Sequence, residues 1–465
     1  MNAVVINRGD GGNASLQVFD VATLSEVASI DFGPATDVNP TSVVITPDGS
    51  QIWVSFYQPG EVRVYPYAEV VAGSDPAPAV ITGGGGFVAL AADPGGEYVY
   101  AATLFNPQYQ FSTVDPTAAP RTIDVPGGAR GVGEGDGDRV FFTRPTSPGG
   151  VQQVDVAGDG TLSLGTYVQT GDVPWGVEYN PAQQRVISTN SGTPVSVSGY
   201  DPDDPTTLVT ASLTCGPRLL DVNPSGSRAY IACLTGGIVS YDYDTGVLAT
   251  TAIGDNVESV RVWGEPSGDA QRVYATSGGS DELLVFTKPT AQAAPDQTVE
   301  PGETATFTVT VTDYWQRLQW QRSDDGGTTW TDLAGETGET VSVTAALADD
   351  GALFRAVVDS DLFDPVASAV AALAVVAPPT PTPTPDPTPT PDPTPTPDPS
   401  PGPTPTPTPT TQPAGDAVPC PAQATEPCLP ATGVDPASAG WLGAGLLAAA
   451  AMLLALPRVR RIVRR

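Results

Sequence analysis

The sequence predicts an all-β chain: a seven-bladed β-propeller, incomplete on its N-terminal side, followed by a β-sandwich, a disordered Pro/Thr-rich stalk and a C-terminal transmembrane helix. Three observations predict it. Turns of one kind recur every 42 to 47 residues through the first 290 positions. The composition changes abruptly near Pro295 and again near Ala377. An apolar run at residues 439–456 precedes an arginine-rich end. At 465 residues the chain exceeds what one hydrophobic core usually spans, so two folded units and a tail are expected.

Residues 1–290 are assigned to the propeller. Short apolar runs such as Gln51-Ile52-Trp53-Val54 and Glu61-Val62-Arg63-Val64-Tyr65 alternate with turns rich in Gly, Pro, Asp and Asn. The turn after the first strand of each unit marks the repeat: Thr46-Pro47-Asp48-Gly49, Asp93-Pro94-Gly95-Gly96, Gly135-Asp136-Gly137-Asp138, Asn180-Pro181-Ala182-Gln183, Asn223-Pro224-Ser225-Gly226 and Glu265-Pro266-Ser267-Gly268. That spacing is the length of a four-stranded blade and supports radial repetition around a channel. The unit with its strand, Pro-Asp-Gly turn, second strand and Asp-x-x-Thr turn resembles the bacterial surface propellers described by a Tyr-Val-Thr-Asn repeat. In this chain residues 52–55, 99–102 and 273–276 stand at the motif's positions. The resemblance implies architecture and says little about ligand.

The chain opens within a unit, and residues 258–263, 272–276 and 282–286 give the last unit three strands. Met1 is therefore expected to be an internal or misassigned start. A signal peptide and the strands that close the ring would lie upstream, an N-terminal strand completing the last blade. The rival is a six-bladed ring in which residues 3–32 complete the final unit.

Residues 293–376 are assigned to the sandwich. Residues 304–309 alternate as a half-buried strand does, and Leu318-Gln319-Trp320-Gln321 carries a large aromatic at mid-strand. The pattern resembles a bacterial immunoglobulin-like domain, which implies Trp320 as the core tryptophan. Phe354 would stand where the family has a tyrosine, and Phe307 and Ala356 where it has cysteines.

Residues 378–428 read as a stalk. Thr-Pro pairs interrupted by Asp386, Asp392 and Asp398 bury almost nothing, and each proline fixes φ and removes a donor. Residues 429–465 carry Leu429-Pro430-Ala431-Thr432-Gly433, the apolar run, and a basic end with Arg458, Arg460, Arg461, Arg464 and Arg465. Eighteen helical residues span about 27 Å, close to a hydrocarbon core, and the arginines favour the cytoplasmic side. The arrangement resembles the LPxTG sorting signal of Gram-positive, actinobacterial-like surface proteins. It implies cleavage between Thr432 and Gly433 by a sortase, covalent attachment to peptidoglycan, and a secreted, wall-anchored location after a transient membrane span.

The formal net charge of -32 argues against a nucleic-acid partner, since phosphate backbones demand Lys and Arg. The absence of histidine removes imidazole-based nucleophile activation, proton shuttling and zinc ligation. No cofactor, metal or catalytic residue is assigned. Pairing about the turn at Asn223 to Gly226 sets Pro217 opposite Cys233, so Cys215 and Cys233 are within reach of a disulfide, and Cys420 and Cys428 are candidates for a second.

Two classes of function are carried forward. The preferred one is a non-catalytic binding or adhesion module for an unidentified extracellular glycan or protein. The alternative is an extracellular lactonase-like or lyase-like enzyme, metal-dependent or not. Glu97, Glu134, Glu178, Asp221 and Glu258 fall near inner-strand positions, although each also suits a turn or loop. Tyr57, Tyr109 and Trp175 suit either sugar stacking or packing.

Overall fold

The computed structural model describes residues 2–378, apart from 10, 11, 84, 255, 265–269, 279–281 and 294, together with 460–463. Strand alternation and tight Asx-type turns build it. Along Asn13–Asp20 the side chains of Ala14, Leu16 and Val18 are buried on one face, with Ser15 and Gln17 half-buried on the other. The next turn closes when Asp20 Oδ1 accepts hydrogen bonds from the N–H groups of Ala22 and Thr23 at 2.9 and 2.8 Å. Asp242 does the same for Asp244 and Thr245 at 3.1 and 2.8 Å. These bonds stabilise the ionised form, so both carboxyls sit below their ordinary range.

Seven antiparallel sheets follow one another. The first has three strands, Asn2–Asn7, Asn13–Asp20 and Ser25–Pro34. Five four-stranded sheets then open with Asn39–Ile45, Phe87–Ala92, Val132–Glu134, Pro174–Asn180 and Pro217–Val222, each keeping chain order. The seventh holds Val257–Gly264, Ala270–Ser277 and Glu282–Thr287, and its fourth strand is Arg460–Val463, antiparallel to residues 282–285. Consecutive sheets share apolar cores. Trp53 of the second packs with Phe87 and Phe111 of the third, and Phe141 of the fourth with Tyr179 and Val186 of the fifth. The fifth and sixth meet through Ile187, Leu220 and Ile231. Cys215 and Cys233 are joined as a disulfide at the end of the sixth sheet, where Pro217 pairs with Cys233.

This arrangement corrects the expected seven-bladed propeller: among the described residues no closed sheet forms one. The reason lies in the strand pairing. The first sheet draws only on residues 2–34, and the place beside Glu282–Thr287 is taken by Arg460–Val463 rather than by an N-terminal strand. The first and seventh sheets meet through side chains, Phe19 against Leu283 and Val285. The expected transmembrane helix is corrected too. Among the described residues no helix is long and apolar enough to cross a membrane, and the only α-helix there is Tyr67–Val71. Residues 439–456, on which that expectation rested, lie outside the described residues, as does the turn at Glu265 to Gly268.

A two-layered sandwich follows. One layer holds Thr290–Ala293, Thr304–Thr312 and Thr340–Thr344; the other is built around Arg317–Ser323, Leu353–Asp359 and Ala371–Val375. Phe307 and Phe354 stack between the layers with ring centres 4.6 Å apart, and Trp320 is fully buried beside them. The loop after Leu353–Asp359 reaches the sixth and seventh sheets. Leu362 and Phe363 join the core of Tyr230, Ile238 and Phe286, and Tyr230 Oη donates to Leu362 O at 2.7 Å.

Candidate functional site

The first strands of the fourth to seventh sheets lie side by side, and glycine brings them into close approach. A Cβ on Gly133 would stand 2.4 Å from Val177 O, and one on Gly131 would stand 2.3 Å from Trp175 O, so only glycine admits this spacing. Bulges set which side chains share a face. Register shifts fall between Pro174 and Val177, Pro217 and Leu220, and Val257 and Ser259. An extra residue shifts the alternation by one, so positions three apart come to one face instead of positions two apart. Trp175 with Glu178, Arg218 with Asp221, and Glu258 with Arg261 are such pairs. The fourth sheet, with no shift at Val132–Glu134, uses Arg130 and Glu134, four apart.

Glu134, Glu178 and Asp221 therefore gather around Arg261. Arg261 Nη1 donates to Glu178 Oε1 at 3.1 Å and to Leu220 O at 3.3 Å. Asp221 accepts from the N–H groups of Val222 and Val262 at 2.8 and 2.7 Å. One carboxyl thus pairs with the guanidinium, and the other two lie within reach of its charge. Desolvation pushes Glu134 up to about 7, against the opposing pull of Arg261. Loss of water also raises Glu178 and Asp221, with Arg261 again opposing in both. Arg261 is raised by these carboxylates in spite of its own desolvation. The cluster is open to solvent: Glu134 and Arg261 are exposed, the Arg261 side chain keeping 52% of its surface accessible and Glu178 21%. Carboxyls that change charge near neutrality beside a fixed cation can take, hold and return a proton.

A second layer lies one step along the same strands. Arg130 and Arg218 sit over the ring of Trp175, with guanidinium carbons 4.4 and 3.8 Å from its centre. Arg8 pairs with Glu258 at 3.8 Å.

Of the acids singled out in the sequence, Glu134, Glu178 and Asp221 come together. Glu258 lies in the other layer, and Glu97 sits in the turn beside Asp93, donating its N–H to Asp93 Oδ2 at 3.4 Å. Arg261 escaped sequence reasoning. Tyr109 packs on Phe87 and Phe111, Tyr57 is exposed, and Trp175 lies under the two arginines. Asp136, read as a turn residue, pairs with Arg139. Among the described residues no group of three or more His, Cys, Asp or Glu is placed to hold a metal ion. Leu429 to Gly433, Cys420, Cys428, Arg458, Arg464 and Arg465 lie outside the described residues, and with them any contact to a sortase or peptidoglycan. The backbone of Arg460 and Arg461 belongs to the seventh sheet. Cavities of about 270 Å³ beside Arg228, Ser240 and Asp361 and of about 500 Å³ beside Arg8, Asn13 and Asn39 lie apart from the carboxyl cluster.

Residues 290–377 match the family model of a domain of unknown function, DUF8696. No curated protein matches the chain. Among solved structures, Kuenenia stuttgartiensis hydrazine synthase is similar at 15% identity, covering 61% of this chain and 94% of that one, with a TM-score of 0.51. The β-propeller domain of Myceliophteria thermophila Cps50 (Swd1) is similar at 11% identity over 53% of this chain and 83% of that one, with a TM-score of 0.42. The resemblance to an LPxTG-anchored actinobacterial surface protein is corrected: the fold is similar to that of hydrazine synthase, and residues 290–377 match a domain of unknown function. The expected membrane span is corrected to this: among the described residues no helix is long and apolar enough to cross a membrane, and Leu429 to Gly433, on which the wall-anchored location rested, lie outside them. The expected display of a binding propeller is corrected as well, because among the described residues no closed propeller is formed.

Proposed function

We propose that the chain is an enzyme of lactonase-like or lyase-like type that moves a proton next to a carbonyl group, using the cluster of Glu134, Glu178, Asp221 and Arg261. One observation carries the reading: from three successive sheets Glu178 is hydrogen-bonded to Arg261 while Glu134 and Asp221 feel its charge, and Glu134 is pushed up to about 7. A group poised there gives up and recovers a proton at neutral pH. Glu134 is the proton acceptor. In ring opening it takes the proton of the attacking water and returns it to the ring oxygen as the carbonyl C–O bond breaks; in elimination it takes the proton beside the carbonyl, and the leaving oxygen on the β-carbon departs with a proton from water. Arg261 meets the negative charge that grows on the carbonyl oxygen. Asp221, held by two backbone N–H groups, sits beside Arg261 and attracts its charge when ionised. Glu178, hydrogen-bonded to Arg261, fixes the guanidinium's position.

The test is turnover on a panel of lactones and of esters and uronides open to elimination, with the whole chain and its Glu134→Gln variant. The variant should lose about 100-fold or more in kcat/KM, and wild-type activity should rise with pH through about 7 as Glu134 loses its proton. Turnover that Glu134→Gln leaves intact, or no turnover on any member of the panel, refutes the reading.

A further inference from the structure

We infer that Arg130, Trp175 and Arg218 form an anion-binding subsite that takes the carboxylate of an acidic organic substrate. Calling its ligand a substrate rests on the acid–base reading above; the binding itself does not. The argument begins from charge. With 20 Lys and Arg against 52 Asp and Glu, the chain repels anions over most of its surface. Half of the 14 arginines in residues 2–378 pair with the chain's own carboxylates, among them Arg63 with Glu61, Arg139 with Asp136 and Asp203, Arg317 with Asp359 and Asp361, and Arg322 with Asp324 and Asp349.

Arg130 and Arg218 differ. Among the described residues neither makes an ion pair with a carboxylate or donates a side-chain hydrogen bond. Both lie over Trp175, at 4.4 and 3.8 Å. A cation–π contact uses the positive charge and consumes no acceptor, so the guanidinium N–H donors stay unspent. Arg218 Nε is moreover buried with no partner, a costly state for a donor unless a ligand satisfies it. Desolvation holds both arginines below their ordinary range; Arg218 adds to this for Arg130, while for Arg218 the nearby Glu258 opposes it and Arg8 adds to it. An arriving anion relieves that like-charge pairing.

A planar carboxylate matches the fork of a guanidinium with two parallel hydrogen bonds. The position suits a substrate as well. Trp175 and Arg218 stand three residues before Glu178 and Asp221 on the same bulged strands, about 10 Å at strand rise. A substrate held here by its carboxylate reaches along the strands to the proton-transfer cluster.

The test is calorimetric titration of the full chain at low salt with D-glucuronate, with D-glucose as the uncharged counterpart and with inorganic sulfate. Glucuronate should bind, glucose should not, and sulfate should bind more weakly than glucuronate. Arg130→Gln and Arg218→Gln should each weaken glucuronate binding at least five-fold and together abolish it. Arg218→Lys keeps the charge without the fork, so it should fall between wild type and Arg218→Gln, which separates loss of recognition from loss of fold. Absent glucuronate binding, binding unchanged in the double variant, or sulfate binding more tightly than glucuronate overturns the inference. Glu134→Gln should bind glucuronate as wild type does. Binding that persists in a chain without turnover on any substrate supports the subsite and removes only the acid–base reading.

Discussion

Replacing Glu178 by glutamine changes stability by an amount that depends on pH, with a sign dictated by the site. Desolvation raises the Glu178 carboxyl, with Arg261 opposing. A carboxyl whose pKa is higher in the folded than in the unfolded chain holds its proton more tightly when folded. The wild-type chain therefore loses stability as pH climbs from the unfolded value near 4.3 through the folded one, and the loss persists above it. The glutamine variant carries no such proton and skips that loss, so relative to wild type it gains between acid and alkaline pH. Each unit of raised pKa corresponds to about 1.4 kcal/mol. Arg261, bonded at 3.1 Å and half open to water, leaves room for screening, which reduces the gain to about 1–2 kcal/mol. At roughly 2–4 °C per kcal/mol for a domain of this size, the gap in Tm between variant and wild type should widen by about 3–6 °C from pH 5 to pH 8.5. Scanning calorimetry of both proteins at the two pH values measures it. Parallel Tm curves would show that Glu178 ionises in the folded chain as it does in water, and the account of the cluster would fail.

Three further outcomes follow from the packing. Cys215→Ala with Cys233→Ala opens a link spanning 18 residues and should cost about 3 kcal/mol by loop entropy; a loss under about 1 kcal/mol in urea melts contradicts it. Phe354→Ala removes one ring of the stacked pair in the sandwich core and should cost about 3–5 kcal/mol, seen as early melting of residues 290–375 by hydrogen exchange. Leu362→Asp sets a charge in the shared core of Tyr230, Ile238 and Phe286, so one cooperative transition should divide into two, and a single transition at the wild-type temperature contradicts the coupling.

Much of this was legible in the chain. Period-two alternation and Asp-x-x-Thr turns mark the strands and reversals, because both are local: Asp20 and Asp242 close their turns with bonds to residues two and three positions on. Glu134, Glu178 and Asp221 stood out as acids on first strands. What stayed hidden was non-local. Arg461 and its neighbours read as a basic end, yet their backbone is a strand of the seventh sheet, and no local pattern discloses a partner some 180 residues away.

Arg261 was hidden for another reason, and it bears on how the site arises. Strand logic pairs positions two and four apart, so Glu258 and Arg261, or Arg218 and Asp221, belong to opposite faces until a bulge intervenes. The shifts after Pro174, Pro217 and Val257 do so at the same place in three successive sheets. Each turns one more charged or aromatic side chain onto the shared face, and the glycines at 131 and 133 let the strands close up enough for those side chains to meet. An isolated bulge is a local irregularity. Repeated in register, it makes a layer of arginines over tryptophan and a layer of carboxyls around Arg261 out of strands that would otherwise have pointed half of these groups into the cores between sheets.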